Sequence, residues 1–246
     1  IQDKYSVQKV NVVPNAHNSL ALTRRALGNS AARFVDGILR DGDVIGLGWG
    51  RTVMEMANLM APARPKRIDV IPLQGESGYT GSYTQLNQVV MEVARAYSAT
   101  PYFLLAPILV GTRFLRDALL QDAVAIQVAE RWGNLSVACV GIGSVPPAEG
   151  QIVYIGEENI SKLIKAGAIG DICARYFDRQ GNFITAEQDD RMIGVSLSQL
   201  KKARHVIALA GGADKANAVI GALHIHLITD LFIDEALAQV LLMEAN

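Results

Sequence analysis

Short β-branched apolar runs alternate with longer segments of helical periodicity almost from one end of the chain to the other. Val7 to Val13, Val44 to Leu47, Ile68 to Leu73, Tyr102 to Leu105, Ser136 to Ile142, His205 to Ala210 and Ile225 to Ile228 read as strands. Leu20 to Leu39, Thr52 to Leu59, Thr84 to Ser98, Asp117 to Arg131, Glu157 to Ala166, Ile169 to Tyr176, Lys215 to Leu223 and Leu231 to Leu242 read as helices. In the third of these helices Leu86, Val89, Val90, Val93, Ala94 and Tyr97 recur at the spacing of one helical face. Asn18 or Ser19 is a candidate cap for the first long helix, and Asp41-Gly42-Asp43 is a turn. Strands that are apolar throughout and alternate with helices must be covered on both faces. The pattern therefore predicts an α/β fold with a largely parallel sheet flanked by helices. Pro146-Pro147 with Gly150 reads as a loop rather than a linker, so residues 1–246 are expected to form one domain. Tyr154 to Ile184 is expected to be an excursion at the edge or mouth of the sheet.

Composition removes several classes of function. With 23 basic and 24 acidic side chains the net charge is −1, which argues against a dedicated nucleic-acid surface. No apolar run approaches the length of about 18 residues that spans a bilayer. Cys139 and Cys173 lie in apolar neighbourhoods and read as reduced, buried thiols, which fits a cytoplasmic protein. No charged and apolar leader marks the start at Ile1. His224 and His226 alternate on an expected strand and so point to opposite faces, while His17 and His205 stand alone. No metal ligand set and no cofactor are expected. Asp189-Asp190-Arg191 reads as a solvated loop, and Trp132 as packing at a helix end.

The strongest local signal is Gly46-Leu47-Gly48-Trp49-Gly50-Arg51-Thr52, between a buried strand and a helix. Its glycines let the backbone turn sharply and approach a ligand, and the helix behind it presents free N–H groups and a positive dipole end. Thr52 adds a hydroxyl and Arg51 a charge. The dinucleotide fingerprint requires glycine where Arg51 stands, and the nucleoside-triphosphate loop requires a Gly-Lys-Ser/Thr triplet that is absent. A small phosphorylated ligand fits better, against the alternative of a turn whose glycines serve packing alone. Glycine-rich turns recur at Gly75 to Gly81, at Gly141-Ile142-Gly143-Ser144 and at Gly211-Gly212-Ala213-Asp214-Lys215. At the carboxyl ends of parallel strands such loops share one rim. Lys215 can reach inward as a point charge or remain a solvated surface lysine. Asp171 can cap a helix or accept hydrogen bonds from sugar hydroxyls.

Three separated segments, Asp43 to Thr52, Gly167-Ala168-Ile169-Gly170-Asp171 and Ala210 to Ala216, together resemble the sugar-binding effector domain of SorC-family bacterial transcription regulators, the sorbose and sorbitol operon regulators above all. The order and spacing match from about residue 20 to 240. The resemblance implies a fold like that of phosphosugar isomerases and CoA transferases. It also implies a rim that binds a phosphorylated sugar and alters operator binding. By the same resemblance Gly48, Trp49, Gly50, Arg51 and Thr52 hold the phosphate with help from Lys215. Asp171 bonds sugar hydroxyls, Gln85 or Asn87 joins it, and Gly75 belongs to the same rim. Family members carry an N-terminal helix-turn-helix that the first 20 residues here cannot build. Operator DNA is then expected to be reached only through that other domain, by a homodimer or homotetramer. The competing reading is an enzyme, a phosphosugar isomerase or deaminase on the same fold. Asp171 with Lys215 could form its acid–base pair, but the rim motifs supply no second carboxylate or histidine.

Overall fold

The computed structural model describes residues 1–15, 19–77, 85–147, 155–184 and 189–244. Its first half contains α1 (Gln2–Tyr5), β1 (Lys9–Val13), α2 (Leu20–Ile38), β2 (Val44–Leu47), α3 (Arg51–Asn58), β3 (Asp69–Pro72), α4 (Leu86–Tyr97), β4 (Thr100–Pro101), α5 (Arg113–Leu120) and α6 (Ala125–Trp132). The second half continues with β5 (Val137–Gly141), β6 (Gly143–Ser144), α7 (Glu157–Lys165), β7 (Gly170–Ile172), β8 (Arg175–Phe177), α8 (Leu197–Leu200), β9 (His205–Ala210), α9 (Ala216–His224), β10 (Asp230–Asp234) and α10 (Glu235–Met243).

Seven strands form one sheet in the order β1-β10-β9-β5-β2-β3-β4, and every pairing is parallel. The expected α/β architecture is therefore present. Side chains alternate between two cores, as the two-residue period of a strand requires. In β5, Val137 and Cys139 face the core under α2, α3 and α4, whereas Ala138 and Val140 face the core under α6, α9 and α10. The approach of α2 to α3 is close at Gly28, where a Cβ would stand 2.8 Å from the Met56 nitrogen. From β2 the chain winds outward through β3 and β4, then returns to lay β5 on the other side of β2. The strand order reverses between β2 and β5, the position at which open parallel sheets bind ligands.

Four sequence expectations are corrected. Ile169 to Tyr176 is a hairpin, not a helix: β7 and β8 pair antiparallel and join β6 in a three-stranded sheet at the mouth of the large one. Its apolar residues carry helical spacing, but α9 packs against β7 so closely that a Cβ on Gly170 would meet Ala218 at 2.9 Å. The last strand is β10 rather than Ile225 to Ile228, because Asp234 ends it and caps α10 by accepting from the Leu237 N–H at 2.9 Å. Asp117 to Arg131 divides into α5 and α6. The fourth strand is confined to Thr100–Pro101. Ser19 caps α2 through the Leu22 N–H; Asn18, His17, Thr84, Gly78, Gly81, Gly150 and Tyr154 lie outside the described residues. Both cysteines are buried and free. The Trp132 indole donates to the Pro72 carbonyl at 2.8 Å, a packing role. Among the described residues no helix is long and apolar enough to cross a membrane, and no cluster of His, Cys, Asp and Glu could hold a metal ion.

Candidate functional site

A cavity of about 680 Å³ opens above the carboxyl ends of β2, β5 and β9. Its floor begins where β2, buried along its whole length, runs into Gly48. The Gly48 N–H donates to the Cys139 carbonyl at 2.8 Å, which pins the loop to the neighbouring strand. Gly50 then adopts φ +141°, a conformation that side-chain-bearing residues rarely take, and so redirects the chain into α3. No side chain caps α3; its ladder starts with the Met54 N–H donating to the Gly50 carbonyl. The first turn, Arg51, Thr52 and Val53, lines the cavity, so the positive end of the helix faces that space.

The opposite wall comes from β9. Gly211 and Gly212 carry the chain over the strand end, with Gly212 at φ +101° and its N–H donating to Asp234 at 2.8 Å. A 3-10 turn over Ala213–Lys215 follows. Lys215 is half-buried, and its Nζ donates to the Ile142 carbonyl at 2.7 Å. Burial pushes its pKa down; Asp171 and Asp214 pull it back up, and Arg51 and Arg24 push it down again. Three cations and two carboxylates thus act on one another around one space.

Asp171 enters on the small sheet, directly opposite Gly143 in register, and is 3% exposed. It is not a helix cap. One carboxylate oxygen accepts the Ala174 N–H at 3.0 Å across the tight turn between β7 and β8. Cys173 and Ala174 sit at φ 50° and 58°, so the turn holds two side-chain-bearing residues in the left-handed region, at a cost on the order of 1 kcal/mol each. Cys173 also lines the cavity, and burial pushes its thiol pKa up to about 12, with Asp171 adding and Arg175 opposing.

Of the residues singled out from sequence, Gly48, Trp49, Gly50, Arg51, Thr52, Asp171 and Lys215 are brought together in this cavity. Gly75, Gln85 and Asn87 do not line it. Gly75 is a packing glycine: its N–H donates to the Ile193 carbonyl, and a Cβ there would meet the Ala106 and Pro107 carbonyl oxygens at 2.6 Å. The Asn87 amide is taken up by Leu104, donating to its carbonyl at 3.1 Å and accepting its N–H at 3.2 Å. Gln85 is exposed at the start of α4, whose first N–H groups are capped instead by the Glu76 carboxylate at 2.9 and 2.8 Å.

Sequence reasoning missed Thr23 and Arg24, which reach the cavity from α2. Burial lowers the pKa of Arg24, and the charge of Arg51 lowers it further while Glu55 opposes. A signal for Thr23 existed: it is a polar residue on the buried stripe of Leu27 and Ala31. Nothing in the sequence separates Arg24 from a solvated arginine.

Set against known proteins, residues 1–243 match the Sugar-bind family model, described as "Putative sugar-binding domain". The deoxyribonucleoside regulator of Bacillus subtilis is 28% identical over 98% of this chain and 77% of its own length. The sorbitol operon regulator of Klebsiella pneumoniae is 29% identical over 88% of this chain and 70% of its own. The crystal structure of that full-length regulator superposes with a TM-score of 0.93, at 26% identity, over 98% of this chain and 78% of that one. A probable sor operon regulator from Shigella flexneri gives a TM-score of 0.90 at 26% identity over 98% and 96%.

Proposed function

The chain belongs to the Sugar-bind family of sugar-binding domains, and from that premise we propose that it is the effector-sensing domain of a bacterial sugar-operon transcription regulator, with a phosphorylated sugar as its effector. One observation carries the reading: the uncapped N-terminus of α3, Arg51, Lys215 and buried Asp171 converge on a single cavity at the switch point of the sheet. A phosphate accepts hydrogen bonds from the N–H groups of the α3 first turn and from the Thr52 hydroxyl. Lys215, Arg51 and Arg24 supply charge, which in a partly desolvated cavity is worth more than on an open surface. Asp171 accepts from the sugar hydroxyls, and the Trp49 ring forms a wall for the carbon skeleton. A phosphorylated sugar matches both halves of this lining, whereas an unphosphorylated sugar leaves the cationic half unpaired.

Sensing rather than turnover is the role we assign. Isomerisation or deamination needs an acid and a base poised on either side of the reacting carbons. Here one oxygen of Asp171 already accepts the Ala174 N–H, which favours holding a hydroxyl over moving a proton, and Asp214 stands exposed beside Lys215. The domain acts in the cytoplasm as a homodimer or homotetramer. Helix α5 supports an assembly: it contains no buried residue, and its Phe114 is 83% exposed, an apolar face that a second copy would cover.

The test is a thermal-shift panel of sugars against the matching sugar phosphates. A ligand at 100 times its Kd stabilises the fold by about 2.7 kcal/mol. For a domain of this size that raises the midpoint by roughly 5–10 °C. A rise with one phosphorylated sugar and not with its unphosphorylated partner supports the reading. Turnover of the sugar phosphate, or equal shifts with both forms, overturns it.

A further inference from the structure

Against the expectations that a net charge of −1 leaves no nucleic-acid surface and that DNA is reached only through another domain, we propose that the sheet edge opposite the cavity is a contact surface for the phosphate backbone of duplex DNA, an inference that rests on the regulator reading above. Because all seven strands are parallel, their N-terminal ends share one edge. Three loops lead into β2, β3 and β9 there. Arg40 precedes β2, Arg64 and Arg67 precede β3, and Lys201, Lys202 and Arg204 precede β9. All six are exposed. Direct contacts tie the loops together. Arg204 donates to Asp43 at 2.8 Å and to the Ile38 carbonyl at 3.3 Å; the Arg67 N–H donates to Asp41 at 3.0 Å, and the Gly42 N–H donates to the Arg67 carbonyl at 2.7 Å.

Asp41 and Asp43 thus engage Arg67 and Arg204. Arg40, Arg64, Lys201 and Lys202 form no ion pair among the described residues, although the charge of Arg64 also acts on Asp41, so a near-neutral chain presents four exposed cations along one edge. From β9 through β5 and β2 to β3 there are three inter-strand steps of about 4.8 Å, a row of roughly 14 Å. One strand of a duplex carries a phosphate about every 3.4 Å along its axis, so such a row faces about four phosphates. The loops carry no exposed large apolar side chain of the kind that seats in a bilayer. Strand β1 also enters the sheet at this edge, where the Gln8 and Lys9 N–H groups donate to the Thr229 carbonyl.

The test is fluorescence anisotropy of a labelled 20-base-pair duplex titrated with the chain at 50 to 200 mM salt. Neutralising about four phosphates gives a log–log slope near −3.6, so binding weakens about 150-fold across that range. A chain with Arg40→Gln, Arg64→Gln, Lys201→Gln and Lys202→Gln is expected to bind at least tenfold more weakly at 50 mM salt, with its thermal midpoint and its sugar-phosphate response unchanged. Lys215→Met, at the other edge, is expected to leave duplex binding unchanged. Absence of binding at 50 mM salt, equal binding by the fourfold variant, or equally tight binding to phosphatidylserine vesicles overturns the proposal. A chain that responds to a sugar phosphate but fails these tests loses this surface and keeps the effector reading; a chain that binds the duplex as expected but ignores every sugar phosphate loses the effector reading instead.

Discussion

Replacing Lys215 by methionine is the sharpest test of how the cavity holds its ligand. Methionine keeps most of the apolar stem and removes only the ammonium. In the free domain that ammonium donates to the Ile142 carbonyl at 2.7 Å. A hydrogen bond from a charged donor contributes about 1.5–3 kcal/mol, but burial already opposes the charged form at this position, and Arg51 and Arg24 add to that opposition. The two effects offset one another. The expected loss of stability is therefore about 1 kcal/mol, a fall in Tm of roughly 2–4 °C for a domain of this length. The ligand effect is larger, because a phosphate dianion loses a charge-assisted partner in a partly desolvated space. A loss of about 1.5–3 kcal/mol corresponds to affinity weakened roughly 10- to 150-fold. Linkage adds a second readout. A lysine whose folded pKa lies below its unfolded value costs stability while charged, and that cost fades as pH rises through the folded pKa toward the unfolded one. The wild-type domain should gain stability over that alkaline window from Lys215, and the methionine variant should lack the gain. Calorimetric titration of the sugar phosphate into both proteins, with thermal unfolding as a control, decides the matter. Affinities equal within twofold would remove Lys215 from the site.

Gly50→Ala should cost about 1–3 kcal/mol in chemical denaturation, because φ +141° excludes a Cβ even though the space beside Gly50 is open; the same change should weaken phosphate binding by tilting the start of α3. Effector affinity should fall between pH 7.5 and pH 5, since a phosphate monoester with its second pKa near 6 loses half of its charge; titrations at the two pH values would detect this, and a flat profile would speak against a bound dianion. Burial raises the pKa of Asp43, but Arg204, the Arg40 N–H and Ser136 outweigh it and hold the carboxyl below its ordinary value. The contribution is present above the unfolded pKa and lost as pH falls through the folded one, so Arg204→Ala should remove about 1–2 kcal/mol at neutral pH and flatten the acid limb of the stability profile. Phe114→Ser should shift the assembly toward smaller species in sedimentation, with little change in the unfolding of the separated domain.

The sheet was legible because its strands are apolar on both faces, a pattern that few other local structures share. Where the reading failed, tertiary packing had overruled a local period. Ile169, Ile172, Cys173 and Tyr176 carry the spacing of a helix face, yet the backbone turns back at Cys173 and Ala174, two residues that give no sign of a left-handed conformation. The displaced last strand is a different case. Asp234 is a helix cap with an apolar run behind it, and the capping rule alone would have set the boundary between β10 and α10 correctly.

At the site, what could be seen was what lies at strand ends, since a glycine-rich turn after a buried strand is a local feature. What could not be seen was the approach of other elements. Arg24 reaches the cavity because α2 crosses α3 closely at Gly28, and Asn87 stays out of it because the backbone of Leu104 occupies both ends of its amide. Charge follows the same logic. The expectation drawn from a total of −1 took no account of placement, and the parallel topology gathers three loops that are far apart in sequence onto one edge. The same topology sends the carboxyl ends of β2, β5 and β9 to the opposite edge, so one sheet holds the cavity and the basic row on opposite sides. An effector bound in the cavity would influence DNA held at the other edge only if it favoured one conformation of the intervening sheet and helices over another, because a ligand with equal affinity for two states shifts neither.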